Sequence, residues 1–600
     1  MIINLNYQKR KNKDLFESLE QEDNLFLSDI QNYIPIYNRF FALNTSNFNN
    51  INLNHNWYIS KLIQKIDENN YECNIKNIET NKIKLKSIFF KMAPLLDPYK
   101  YLVGKYNLHN SLFKLPLLEN ADETIHEKML DINNSAYIDG LFIFLTGELL
   151  HQYRFIHGIE YYGSFLSIKN NFLINVSDDL EYLVKSPFFI QNKNILFKID
   201  DYEIDSNDEK LPPINIDYKC NKTISIKSIN ENEFEDIFED CKEEGNQDDK
   251  QEEWNELKEY NINLNIINDS KANSLKTNST CSSRSSYTSN NSFCQDKYNI
   301  FDDSDDNLDI NNENIEINSE ENLSQCEDDY ETINTDMSSV EEECINVTIP
   351  KFPIQLICME KCEYTLDELI SNNELTTEEW FSILMQIIMM LITYQKVFNF
   401  THNDLHTNNV MFNNTDKKYI YYCYKKTYYK VPTFGRIFKI IDFGRSIYKI
   451  KGQIFCSDSF NQSGDAVTQY NTEPYFNIKK PRLEPNYSFD LCRLACSIFD
   501  YIIDDLDILK SPLETTPVIK IINEWCLDDK GNNVLYKNNG DERYPDFKLY
   551  KMIARCVHNH TPQAQLERNE FKNYIILDKD IKNNEKQLKI INIDNIQSFI

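Results

Sequence analysis

Six hundred residues are too many for one ordinary hydrophobic core, so more than one structural unit is expected. The formal net charge of −31 is unevenly spread: residues 201–350 hold 39 Asp or Glu against 11 Lys or Arg, a balance of −28, and the rest holds 55 against 52, a balance of −3. A nearly neutral protein with one acidic segment is a poor match for a nucleic-acid backbone as its main partner.

The opening MIINLNYQKRKNKD lacks the apolar run of a secretory leader. The 15 Cys fall without metal-like pairs, Cys358 and Cys362 coming nearest to one. Free thiols in a reducing, intracellular, cytoplasmic setting are therefore expected. Residues 1–50 are polar with short apolar patches and read as an extension. From about residue 56, NWYISKLIQKI, YECNIKNI and IKLKSIFFKMA alternate apolar with polar residues, which predicts half-buried strands. AYIDGLFIFLTGELLHQY (136–153) predicts a buried helix, and IEYYGSFLSIKNNFLINV (159–176) a strand pair. Residues 199–348 carry acidic runs and the serine-rich SSRSSYTSNNS, a composition that predicts a disordered insertion. Closing such a loop costs on the order of 4–5 kcal/mol, which a domain can bear. The insertion reads as a solvated linker, or as a dock for a basic partner or a site of autophosphorylation at 282–289.

FPIQLICMEKCEYTLDELI (352–370) predicts a strand and then a helix start. WFSILMQIIMMLITYQKVFNF (380–400) is the most apolar stretch; Gln386, Thr393 and Gln395 interrupt it, which favours a buried helix over a membrane span. The remaining pattern is helical apart from a β-rich interruption at 409–448, PNYSFDLCRLACSIFDYIID (485–504) is amphipathic, and 576–600 reads as a tail.

The chemistry sits in THNDLHTNNVMF (401–412) and FKIIDFGRS (438–446). Asp404 precedes Asn409 at the start of one strand, and a second strand ends in Asp442-Phe443-Gly444. Phosphoryl transfer from ATP needs such a set: one carboxylate facing the acceptor hydroxyl, and a carbonyl oxygen with a second carboxylate on Mg²⁺. A Gly after the second Asp would let the backbone turn away.

This order resembles the protein-kinase superfamily, with His402-Asn403-Asp404, four intervening residues, Asn409 and then Asp442-Phe443-Gly444. The resemblance implies an α+β, bilobal fold: a β-rich N-lobe at 51–198 and 349–362, split by the acidic insertion at 199–348, and a helical C-lobe at 363–575. By the same resemblance Asp404 is the catalytic base, Asn409 and Asp442 bind the metal, and Asp490 in SFDLCRL braces the catalytic loop. IFFK resembles the family's phosphate-contacting Lys strand, making Lys91 that lysine, with Glu148 chosen as its ion-pair partner. LICMEKC is similar to the strand and hinge that hold adenine, with Met359 as gatekeeper and the backbone of Glu360 and Cys362 on the base. ATP and Mg²⁺ are the implied cofactors, and a protein Ser or Thr hydroxyl the implied acceptor. HNDLHTNNV, MAPLLDPYKYLVGKY and NTEPYFNIKKPRLEPNYSFDLCRL resemble kinases of giant, mimivirus-type DNA viruses.

The chain departs from the family pattern in several places. Asn403 stands where the family has an Arg that pairs with a phosphorylated loop, so activity independent of that phosphorylation is expected. His406 replaces the Lys usual in protein-serine kinases and is common in choline- and aminoglycoside-type kinases, so a small-molecule kinase is one alternative. His406 would steady the transferred phosphoryl group. No Gly-rich loop precedes Lys91, which leaves a catalytically weak pseudokinase scaffold as another alternative. TEP (472–474) or LEP (483–485) stands in for the family's Ala-Pro-Glu. His402, Asp404 and His406 could instead be ligands of a metallohydrolase, and VHNHTPQAQLERNEF (557–571) faintly resembles a nuclease His-Asn-His.

Overall fold

The computed structural model describes residues 5–108, 112–118, 125–200, 345–503, 505–511, 515–577 and 589–599. It is a mixed α+β protein, strand-rich in its N-terminal part and mainly helical later. The three alternating stretches after residue 56 form an antiparallel meander, β4 (Trp57–Lys65), β5 (Asn70–Asn77) and β6 (Ile83–Pro94). β6 pairs with β9 (Asn346–Glu360), and β9 with β7 (Tyr161–Asn175). β7 runs unbroken where a strand pair is expected. Within it Asn171 is left-handed (φ 52°), while pairing to β9 continues on both sides.

Two boundaries differ from the sequence reading. Residues 5–50 are no extension: β1 (Tyr7–Lys9) pairs with β3 (Ile51–Leu53), helix Lys13–Leu19 buries Leu15 and Leu19, and β2 (Leu27–Gln31) forms the edge of the main sheet against β7. The sheet order is β2-β7-β9-β6-β5-β4, with β8 (Lys198–Ile199) also on β9. Lys198 and Ile199 pair with Thr348 and Val347, so the ends of the expected insertion are strand; residues 201–344 lie outside the described residues.

Helix Ser135–Tyr153 is apolar on all sides because it is covered on all sides. One face lies on the sheet, where a Cβ at Gly140 would collide with Gln355 Nε2. On another face the Phe142 ring meets Tyr394 and Phe398 of helix Thr377–Phe398, with ring centres 5.5 and 5.2 Å away. Helix Thr377–Phe398 starts at a capping box made by Thr376 and Glu379 and stops at left-handed Asn399. It is the one described helix long and apolar enough to cross a membrane, and 94% of its apolar window is buried inside the protein.

The β-rich interruption is two nested hairpins. β11 (Val410–Asn414) pairs with β14 (Arg436–Ile440), and β10 (Tyr364–Thr365) adds to β11. Between them β12 (Tyr419–Tyr424) and β13 (Thr427–Pro432) form a separate hairpin. That hairpin is flanked by β17 (Ile575–Ile576) and β18 (Ile590–Asn592). The C-terminal residues are therefore docked, not a tail. Phe599 stacks on Phe398 at 5.0 Å, and Asp594 accepts the backbone N–H groups of Lys425 and Lys426, each at 2.8 Å.

Candidate functional site

Lys91 lies on β6, opposite Ile357 of β9, and is almost wholly buried. A buried ammonium needs carboxylates around it. Nζ has two, Asp139 Oδ2 at 2.6 Å and Asp442 Oδ1 at 3.0 Å. Burial works to lower the lysine pKa, but the two carboxylates more than offset it and hold Lys91 above its usual value. Burial raises Asp139 in turn, with Lys91 opposing. Asp139 Oδ1 also accepts the Phe443 N–H at 2.8 Å, which ties helix Ser135–Tyr153 to the Asp442 turn. The Phe443 ring packs 4.6 Å from Phe142.

Glu148, expected as the Lys91 partner, does not meet it. It follows Asp139 by nine residues, about two and a half helical turns, and so points the opposite way. Its Oε1 lies 3.3 Å from His55 Nδ1 and accepts from Asn6 Nδ2 at 3.1 Å, away from the cleft. Asp139, the other acid of that helix, takes the place expected of Glu148.

Asp442 itself takes the left-handed conformation (φ 60°), which Asp tolerates better than most residues. Gly444 is not the turning residue: a Cβ there would meet only ordinary contacts, the nearest being Asp442 Oδ1 at 3.4 Å.

The 402–409 loop is fixed from below by Asp490, whose two carboxylate oxygens accept the His402 and Asn403 N–H groups, each at 2.9 Å. The His402 ring donates from Nε2 to Ile441 O at 2.9 Å and accepts the Asp404 N–H at Nδ1, 3.3 Å away. Asn403 donates to Arg445 O at 3.1 Å and accepts the Tyr470 hydroxyl at 2.7 Å. Asn403 thus meets the 445–470 segment through neutral groups. Asn471 and Leu483 form a β-bridge, and the Thr472 hydroxyl donates to Glu484 at 2.5 Å, so the TEP and LEP segments pair with each other.

Asp404 is 3% exposed and accepts the Tyr550 hydroxyl at 2.7 Å. Burial works to raise its pKa, yet the guanidinium of Arg445, with His406, Arg493 and Tyr550, brings it down to about 2. Asp404 is therefore an aspartate at neutral pH. Burial lowers His406 to about 4, against the pull of Asp404, so its ring is neutral. Asn409 Nδ2 lies 2.9 Å from Asp404 O, to which it donates, and 3.1 Å from His406 Nε2. Its Oδ1 accepts no hydrogen bond from the described residues.

Lys91, Asp139, Asp404, Asp442, Gly444 and Arg445 line one cleft of about 830 Å³. Its other wall comes from residues 93–106, 126–136 and 458–465, joined where Lys128 pairs with Asp458 and Asp458 Oδ1 accepts the Ser135 N–H at 3.0 Å. His406 and Asn409 are not among the residues that line it. Met359, Glu360 and Cys362 do not line this cleft. Met359 is buried near the end of β9, and the Glu360 carboxylate is paired with Lys439, which also donates to Gly158 O at 2.6 Å. The Glu360 N–H donates to Glu160 O at 2.9 Å. Burial pushes the Cys362 thiol up to about 12, and its backbone makes no hydrogen bond among the described residues.

Among the described residues no group of three or more His, Cys, Asp or Glu is arranged to hold a metal by itself. The His402, Asp404, His406 metallohydrolase reading fails on that point, since the two rings are turned to Ile441 and Asn409. The nuclease-like His558 and His560 pin the chain locally, to Asp529 and Leu527 O. The described Cys are all free thiols. Tyr550, Arg445 and Arg493 were invisible to sequence reasoning, because nothing in the sequence links them to Asp404.

No family model matches the chain. It is 29% identical over 192 residues to Uncharacterized protein 098R of Invertebrate iridescent virus 6, a match that spans 30% of this chain and 30% of that protein.

Proposed function

We propose that the chain is an ATP-dependent phosphotransferase with a bilobal, protein-kinase-like architecture, acting on Ser or Thr hydroxyls of protein. The observation that carries this reading is that Lys91, Asp404 and Asp442, drawn from three separate segments, line one cleft, with Asn409 hydrogen-bonded to the Asp404 backbone.

In this reading Asp404, anionic and held in place, orients the acceptor hydroxyl and takes its proton. Lys91 carries a fixed positive charge to the non-bridging phosphate oxygens, and Asp139 steers it there. His406, neutral, holds the Asn409 amide so that its oxygen stays free. One carboxylate and one amide oxygen suit a hard divalent cation that takes its other ligands from phosphate and water, so Asp442 and Asn409 would hold Mg²⁺, which spreads the developing phosphoryl charge. The neutral contacts of Asn403 suit a loop that works without phosphorylation.

A small-molecule acceptor is the second reading, favoured by His406 at the position of the usual Lys. Transfer of labelled phosphate from Mg·ATP to casein, histone or the protein itself, set against a panel of alcohols and amino sugars, separates the two. Asp404→Asn should slow transfer by about two to four orders of magnitude, and Asp442→Ala should abolish it. A native protein that transfers no more label than Asp442→Ala would overturn the proposal and leave a scaffold.

A further inference from the structure

Several cations line the cleft, and most are matched. Lys91 meets Asp139 and Asp442, Lys128 meets Asp458, and Lys100 lies 3.7 Å from Asp97 and donates to Ser463 O at 3.1 Å. Arg445 differs. It lines the same cleft and is 5% exposed. Its Nη2 donates to the Asp465 carboxylate, but its Nε and Nη1 are buried and have no hydrogen-bond partner among the described residues. The Phe547 and Tyr550 rings flank the guanidinium, each centred 5.6 Å from its carbon, which braces it without giving those N–H groups an acceptor. Burial works to lower its pKa, but the charges of Asp465 and Asp404 more than offset it, so Arg445 stays charged. Arg445 is in turn the first charge that lowers the Asp404 carboxyl, which places a fixed cation beside that residue. His406 cannot supply such a charge, since its ring is neutral and outside the lining. Buried N–H groups of a charged side chain are costly to leave without an acceptor, and they are rare in folded proteins.

We propose that Arg445 is a catalytic residue of the phosphotransferase reaction: its Nη1 binds a non-bridging oxygen of the transferred phosphoryl group while Asp465 keeps hold of Nη2. Charged N–H groups bind phosphate oxygens strongly, and a guanidinium offers them without giving up its proton. Nη1 is shielded from water in this structure, so the contact forms by a turn of the guanidinium toward the cleft it already lines, as catalytic hydrogen bonds often tighten only in the loaded complex. In the step itself the acceptor oxygen bonds to the γ-phosphorus, the bond from that phosphorus to the bridging oxygen breaks, ADP leaves with the electron pair, and the acceptor proton passes to Asp404. Arg445 neither gives nor takes a proton; it faces the charge on the phosphoryl oxygens as the group crosses. This inference rests on the phosphotransferase reading.

The test uses the full chain and two readouts. One is steady-state transfer from Mg·ATP. The other is calorimetric binding of Mg·ADP with and without aluminium fluoride, which stands in for the phosphoryl group in flight. Arg445→Gln should lower kcat about 100- to 1000-fold, as losing one donor to a transition state does. Its affinity for Mg·ADP should stay within about threefold of native. The gain in affinity that aluminium fluoride brings to the native protein should shrink at least about tenfold. Arg445→Lys keeps the charge but not the planar donors, so it should fall between the two, and it decides the matter should Arg445→Gln fail to fold. A folded variant with native kcat and the native fluoride gain overturns the inference alone. So does one whose loss falls equally on Mg·ADP, because Arg445 would then shape the site without touching the phosphoryl group. A native protein no more active than Asp442→Ala overturns the phosphotransferase reading and this inference with it.

Discussion

Acid should loosen this fold at His157, and the amount can be worked out. His157 is fully buried against β12 and β14. Its Nδ1 donates to Phe438 O at 2.7 Å, and its Nε2 accepts the Tyr422 hydroxyl at 2.6 Å, which fixes a neutral tautomer. Burial, opposed by the Phe438 bond and aided by Lys439 and Lys417, lowers its pKa from 6.5 to about 3. Above pH 6.5 the ring is neutral folded or unfolded, and the group contributes no pH dependence. Below pH 6.5 the unfolded chain takes up a proton that the folded chain refuses until pH falls through 3. Stability therefore drops by about 1.4 kcal/mol per pH unit across that window, or about 2 kcal/mol at pH 5. Urea unfolding at pH 7 and pH 5 measures it, with His157→Gln as the reference that cannot titrate. The native protein should lose about 2 kcal/mol more than the variant between the two conditions. Equal losses would refute the argument. The effect bears on the site, since Phe438 lies on the strand that leads to Asp442.

Three further outcomes follow from other contacts. Asp139→Ala removes the 2.6 Å partner of Lys91 and the acceptor of the Phe443 N–H. It should cost about 3 kcal/mol, the low end for breaking a buried pair because Asp442 remains, and should abolish thermal stabilisation by Mg·ATP, which Glu148→Gln should retain. Truncation after residue 588 strips Phe599 from Phe398 and the 593–596 carbonyls from Lys396; it should lower denaturant stability by about 2–5 kcal/mol, as losing large buried side chains does. Between residues 446 and 475, Ser446, Tyr448, Ser457, Ser459, Tyr470 and Thr472 are buried and Thr468 and Tyr475 half-buried, which leaves Ser463 as the exposed hydroxyl. Phosphatase treatment and Ser463→Ala should leave transfer rates unchanged in a labelled-ATP assay.

The sheet was legible because β4, β5 and β6 alternate over eight to twelve residues, long enough for a period of two to stand out. Residues 5–50 and 589–599 were not. Their elements run three to seven residues and owe their form to partners far along the chain, such as β1 on β3 and β18 on β12. Asp404, Asn409 and Asp442 stand out in the sequence by an order that phosphoryl transfer would need, and Lys91 by the resemblance of its IFFK strand; the structure brings Lys91, Asp404 and Asp442 to one cleft. The partner of Lys91 required knowing which way a nearly uniformly apolar helix faces. Such a helix has no polar side to mark its orientation, so Asp139 and Glu148 looked alike. The Asp442 turn was misread because a neighbouring Gly is the commoner place for a left-handed residue, whereas here the Asp takes it.

The pairing of Ile199 with Val347 has a consequence of its own. Two cross-strand neighbours could be joined by a two-residue hairpin, and the sheet would meet the same backbone on either side of the join. Whatever stands between residues 200 and 346 can thus be lengthened, shortened or exchanged without shifting the register of β9, and hence without moving Ile357 from its place opposite Lys91. Such a splice point lets one region change freely while the cleft beside it is kept.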